Sequence, residues 1–222
     1  MEKSSLTAQD RDAKENEMRR VIVLVFSCLA LNAFSDGQDQ PKPVLSSEHL
    51  TAEQVAIYRA VLKSYRKGSH GTLNLADRTE PLQRTDSASY SECLSGIKPN
   101  ESNSAPIVHR ISDSALLGPK LVLVDPDRQQ ETIDKNDPQN LVKRAIDGHE
   151  QVTNQELDDS IKRAFETGVF ALSEIAFDRG HNYAIVAYSF VCGGLCGNGA
   201  TLVVHRVGQT WKVTKRCGEW VS

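Results

Sequence analysis

The chain has 222 residues, 39% of them hydrophobic and 25% charged, with a formal net charge of −3 and a pI near 6.1. This composition excludes a disordered tail or a helical membrane bundle and fits one globular domain with extensions. A phosphate-tracking surface needs a clustered basic excess, so the overall charge argues against nucleic acid as a partner, a local basic patch aside.

Residues 1–17 are polar, mixed in charge and without apolar periodicity, and form an N-terminal extension ahead of a second candidate start at Met18. Met18-Arg19-Arg20 precedes the apolar run Val21 to Phe34, and Ala33-Phe34-Ser35 offers small residues at −3 and −1. A basic n-region, a short apolar h-region and such a site read as a signal peptide over 18–35, cleaved after Ser35. The run is shorter than the roughly 20 residues of a spanning helix. Val25-Phe26-Ser27-Cys28 loosely matches a bacterial lipobox; the bulky Phe26 and the apolar residues continuing past Cys28 count against it. Membrane attachment is therefore expected only through lipidation at Cys28 or an uncleaved leader, and the protein is expected to be secreted or periplasmic. Export leaves Cys93, Cys192, Cys196 and Cys217, an even set that argues for two disulfides with three pairings open.

Residues 36–47, with Pro41 and Pro43, read as a linker to a single domain over 48–222. Thr51 with Gln54 forms a capping box, and Val55, Tyr58, Val61, Leu62 and Tyr65 fall on one face of the helix that follows, up to Gly68. Thr72 to Thr79 alternates as a short strand. A Ser-rich loop over 80–106 follows, long enough to require tethering, and Cys93 inside it supplies the tether. Asn100-Glu101-Ser102 fits a glycosylation sequon, relevant only in a eukaryotic secretory pathway. Leu121 to Asp125 reads as a buried strand. Asp137-Pro138 opens a helix ending near Gly148, and Thr153 with Glu156 caps another whose stripe is Leu157, Ile161 and Phe165, stopped at Gly168. Four strand candidates close the chain, Phe170–Phe177, Tyr183–Val191, Ala200–Val207 and Trp211–Cys217, joined by short turns as an antiparallel meander. Tyr183–Val191 is apolar on both faces and reads as central; Trp211-Lys-Val-Thr-Lys alternates and reads as an edge. The fold class is α+β: an antiparallel C-terminal sheet of about four to six strands with about three helices on one face.

Cys192-Gly-Gly-Leu-Cys196-Gly-Asn-Gly199 sits between two of these strands. A redox dithiol has a two-residue spacing at a helix N-terminus; here the spacing is three and the flanks are strands, so a stapled hairpin tip is expected. Closing Cys192 to Cys196 leaves Cys93 to Cys217. The alternative joins Cys196 to Cys217 and Cys93 to Cys192, because a tight turn at Gly208-Gln209 brings Cys217 opposite Ala200, near the same tip.

Ser173-Glu-Ile-Ala-Phe177, Tyr183-Ala-Ile-Val186, the Cys192–Gly199 loop and the closing Trp211-Lys-Val with Trp220-Val-Ser222 resemble uncharacterised exported bacterial proteins with a glycine-rich turn in a terminal meander. The resemblance covers residues 173–222 and, loosely, the first helix. It implies an exported setting and carries no activity.

Catalytic and metal-binding patterns are sparse. His149-Glu150 lacks the second histidine of a zinc-protease helix, and no Gly-x-Ser-x-Gly elbow occurs. Asp125-Pro-Asp127 with Asp134, Asn136 and Asp137 lacks the glycine and closing glutamate of a calcium loop and reads as solvated. No cofactor or metal is expected. Histidines lie at 49, 70, 109, 149, 181 and 205; only His205, meeting Tyr188 across neighbouring strands, sketches a catalytic pair. The expected function is non-catalytic binding of a protein, envelope component or small ligand. The alternative is an exported hydrolase with its site on the concave sheet face near His205.

Overall fold

The computed structural model describes residues 42–67, 71–83, 91, 93, 94, 97, 107–148 and 151–222. The extension, the leader with Cys28, His70, the Asn100 sequon, His149-Glu150, and most of the Ser-rich loop lie outside them.

Within 42–222 the elements run β1 (Val44–Ser46), α1 (Ala52–Tyr65), β2 (Leu73–Ala76), β3 (Ile107–His109), a 3₁₀ turn (Ser114–Leu116) and β4 (Leu121–Val124). They continue α2 (Pro126–Asn136), α3 (Pro138–Asp147), α4 (Asn154–Thr167), β5 (Val169–Leu172), β6 (Ala176–Phe177), β7 (Tyr183–Gly193), β8 (Cys196–Val207) and β9 (Thr210–Val221). The class is α+β. Seven strands form one sheet in the order β4-β2-β5-β7-β8-β9, with β6 also on β7. The C-terminal part is antiparallel as expected, whereas β4-β2-β5 pair in parallel. Val44–Ser46, inside the segment read as a linker, pairs with β3 in a separate two-stranded parallel sheet.

Side-chain alternation divides the core. On one face Leu75, Phe170, Leu172, Val186, Tyr188 and Leu202 meet Val55, Tyr58, Val61 and Leu62 of α1. The capping box holds α1 at its start, with Gln54 N–H donating to Thr51 Oγ1 at 3.2 Å and Thr51 N–H to Gln54 Oε1 at 2.8 Å. Tyr58 is fully buried and its hydroxyl donates to the Ser173 carbonyl at 2.9 Å. Burial, then the nearby Glu174 carboxylate, pushes that phenol's pKa well above its usual value. On the other face Ala76, Val169 and Ala171 meet Ile133 of α2, so helices cover the sheet from both sides. Each fully buried Ile or Val here stabilises the fold by roughly 1.5–3 kcal/mol.

Two local readings change. The acidic stretch from Asp125 to Asp137, expected as a solvated loop, is helix α2, capped by Asp125 accepting from Asp127 N–H at 3.0 Å. It carries the same Asp-Pro start as α3, but Ile133 is its single buried residue, so no apolar stripe announced it. In α4 the expected stripe is largely outside, with Ile161 39% and Phe165 56% exposed. The buried positions are the small Ser160 and Ala164, which admit close packing of the helix.

β9 reaches its partner through two register shifts, one after Val204 and one before Gly199. Trp220 then lies opposite Gly199, where a Cβ would meet the indole and stand 2.7 Å from the Tyr188 carbonyl. Backbone cannot yield as a side-chain end can. Gly199→Ala is expected to lower stability by about 1–3 kcal/mol. Urea unfolding followed by circular dichroism measures it, and an unchanged midpoint would contradict this packing.

Candidate functional site

Cys192 bonds to Cys196 and Cys93 to Cys217, with Cα–Cα separations of 5.0 and 5.8 Å. Cys192 is fully buried. The tip between Gly193 and Cys196 is tied to the start of α3, because Asp137 accepts from Gly194 N–H at 2.7 Å and also caps that helix through Gln139 N–H at 2.9 Å. Gly193 has φ 148°, and a Cβ there would meet the Asp137 carboxylate at 2.8 Å. These contacts make the loop a docked staple, with Leu195 (70% exposed) projecting from it.

Tyr188 and His205 do not come together. Tyr188 pairs with Ala200 and points into the α1 core, stacked on Phe170 at 5.3 Å and edge-on to Tyr65 at 5.2 Å. Desolvation raises its pKa. His205 pairs with Tyr183, on the opposite face, and stacks on that ring at 4.5 Å. An odd register separation turns two strand neighbours back to back.

One carboxylate–imidazole pair was not visible as a pattern. His109 Nδ1 lies 2.9 and 3.0 Å from the two Glu174 oxygens, and the Thr79 hydroxyl touches Glu174 while accepting from His109 N–H at 2.7 Å. These residues follow β2 and β5 or end β3, and they bind the small sheet to the large one. They stand 65 and 30 residues apart in sequence, which hides the constellation. Among the described residues no group of three or more ligating side chains is placed for a metal.

The strongest surface feature is an open groove, about 1380 Å³, between α1, residues 115–121 and the β8–β9 turn. Arg59, Lys63, Arg66, Lys67, Lys120 and Lys212 line it, and none of the described lining residues is acidic. Arg59, Lys63 and Arg66 stand at i, i+4 and i+7, one stripe of the helix beside its buried face. Arg59 donates to the Leu116 carbonyl; Arg66 donates to the carbonyls of Pro119 at 2.6 Å and Gly71 at 2.7 Å. The arginines thereby fix the 115–121 wall against α1. Among the described residues neither Lys63 nor Lys67 has an ion-pair partner. On the other wall stands half-buried Trp211, its ring 6.2 Å from Phe177, beside Gln209 and Thr210. Because none of the described lining residues is acidic, the groove carries a positive potential on a chain whose net charge is negative.

No protein family model, curated protein or solved structure matches the chain.

The two staples are unequal. Cys93–Cys217 spans 124 residues and Cys192–Cys196 spans 4. Loop-closure entropy assigns about 5 kcal/mol to the first and about 2 kcal/mol to the second. Urea unfolding of Cys93→Ser/Cys217→Ser and of Cys192→Ser/Cys196→Ser is expected to show the larger loss for the first pair; the reverse order would show that docking on Asp137, not chain entropy, dominates.

Proposed function

We propose that this chain is an exported, disulfide-stapled binding domain whose groove takes up an anionic ligand without transforming it. The observation that carries the reading is the lining itself: five cationic residues from α1, its C-terminal end and the 115–121 wall, with no carboxylate among the described lining residues. Like charges held together on one surface repel, so their accumulation is balanced when an anion fills the space between them. The two disulfides support an oxidising compartment, as does the leader-like segment at 18–35. Among the partners expected from the sequence, this favours an acidic envelope component or small anion over a protein.

Binding of inorganic polyphosphate to the oxidised full chain, measured by isothermal titration calorimetry, tests the reading. The double variant Lys63→Glu/Lys67→Glu is expected to weaken it at least tenfold while leaving thermal unfolding within a few degrees of the parent. Raising sodium chloride from about 0.05 to about 0.5 M is expected to weaken it as well, because exposed charges are screened. Binding indifferent to both would remove the groove as the site.

A further inference from the structure

We propose, resting on the preceding reading, that the occupant of the groove is an acidic oligosaccharide, a chain of sugars bearing uronate carboxylates. The first argument is size. Single small ligands fill about 300–1,000 Å³, and this groove, at about 1380 Å³, exceeds that range, as an oligomer requires. The second is the layout of charge. Arg59 and Lys63 are about 6 Å apart along α1 at 1.5 Å per residue, Arg66 and Lys67 continue the row past the helix end, and Lys120 adds charge from the neighbouring wall. Charge spread along a trough matches an anion that repeats along a chain. A flat lipid surface would meet only the rim.

The third argument is the wall that bears no arginine. Trp211 offers one aromatic surface on which the C–H face of a sugar ring stacks, and Gln209 and Thr210 beside it add neutral donors and acceptors suited to hydroxyl groups. A single-stranded nucleic acid is read by several successive aromatic platforms. Among the described residues, Trp211 is the single aromatic one lining this groove. The compartment fits too, since two disulfides belong where envelope and extracellular glycans are found.

The test uses the oxidised full chain carrying Trp220→Phe, so that Trp211 is its single indole. Oligogalacturonate is titrated against its fluorescence, with neutral dextran, polyphosphate, oligo-dT and phosphatidylglycerol vesicles as comparisons. Expected are saturable quenching or shift of Trp211 by oligogalacturonate, none by dextran, and at least tenfold tighter binding than oligo-dT or the vesicles. In the parent background, Trp211→Leu is expected to weaken oligogalacturonate tenfold by calorimetry but polyphosphate less than threefold. Trp211→Phe, which keeps a ring, restores most of the loss and guards against a folding defect. If polyphosphate binds and oligogalacturonate binds no better, the sugar inference fails while the anionic groove stands. Preference for oligo-dT or vesicles overturns it in favour of those partners. Binding by none of the anions removes both readings.

Discussion

The arrangement depends on one extra residue in β9. From the Val207–Thr210 turn the ladder runs in register as far as Val204 opposite Val213, and then resumes with Val203 opposite Lys215. Thr214 is the surplus residue, its hydroxyl donating to the Val203 carbonyl at 3.2 Å. Because side chains alternate with a period of two, this insertion exchanges the faces of Lys215 to Cys217, as far as the second shift before Gly199. Before it, Trp211 and Val213 lie on the α1 side, where they pack against the main core and line the groove. After it, Cys217 lies opposite Thr201 on the far side, in a cluster with Val203, Leu94 and Cys93. An uninterrupted ladder would set Cys217 opposite Ala200, buried under α1 and out of reach of Cys93.

The two faces therefore take different roles. The α1 face carries the aromatic core and, at its margin, the cationic groove. The far face carries α2 and the tether that ties the long loop to the edge strand, with Lys215 also reaching the Cys93 carbonyl at 3.2 Å. That tether covers part of an edge strand that would otherwise be open to pairing. The groove borrows its stability from the same core, since α1 is fixed by Tyr58 and Val61 beneath it while its arginines hold the neighbouring loop.

Much of the fold was legible because the signals were local. The capping boxes at Thr51 and Thr153, the buried face of α1, central β7 and edge β9 each follow from spacing within one segment. The misses have a common origin. α2 buries one residue, so its periodicity was silent; α4 is buried at the small Ser160 and Ala164, one position before Ile161 and Phe165 of the expected stripe, and Phe165 reaches the core only at its margin, stacked on Phe190 at 5.9 Å. The Tyr188–His205 pairing failed on strand parity, which the residue types alone do not reveal. His109 and Glu174 meet only because separate strands end at the same place.

By itself, the amino-acid sequence determined the α+β class and the C-terminal strand meander, since these rest on periodicity and turn chemistry. Tertiary structure alone decided which cysteines pair and where the cations gather. A basic stripe on a helix is ordinary until Lys120 and Trp211 from distant segments stand around it. The choice of face for Cys217 turned on a single bulged residue, and no local propensity specifies where a ladder slips by one.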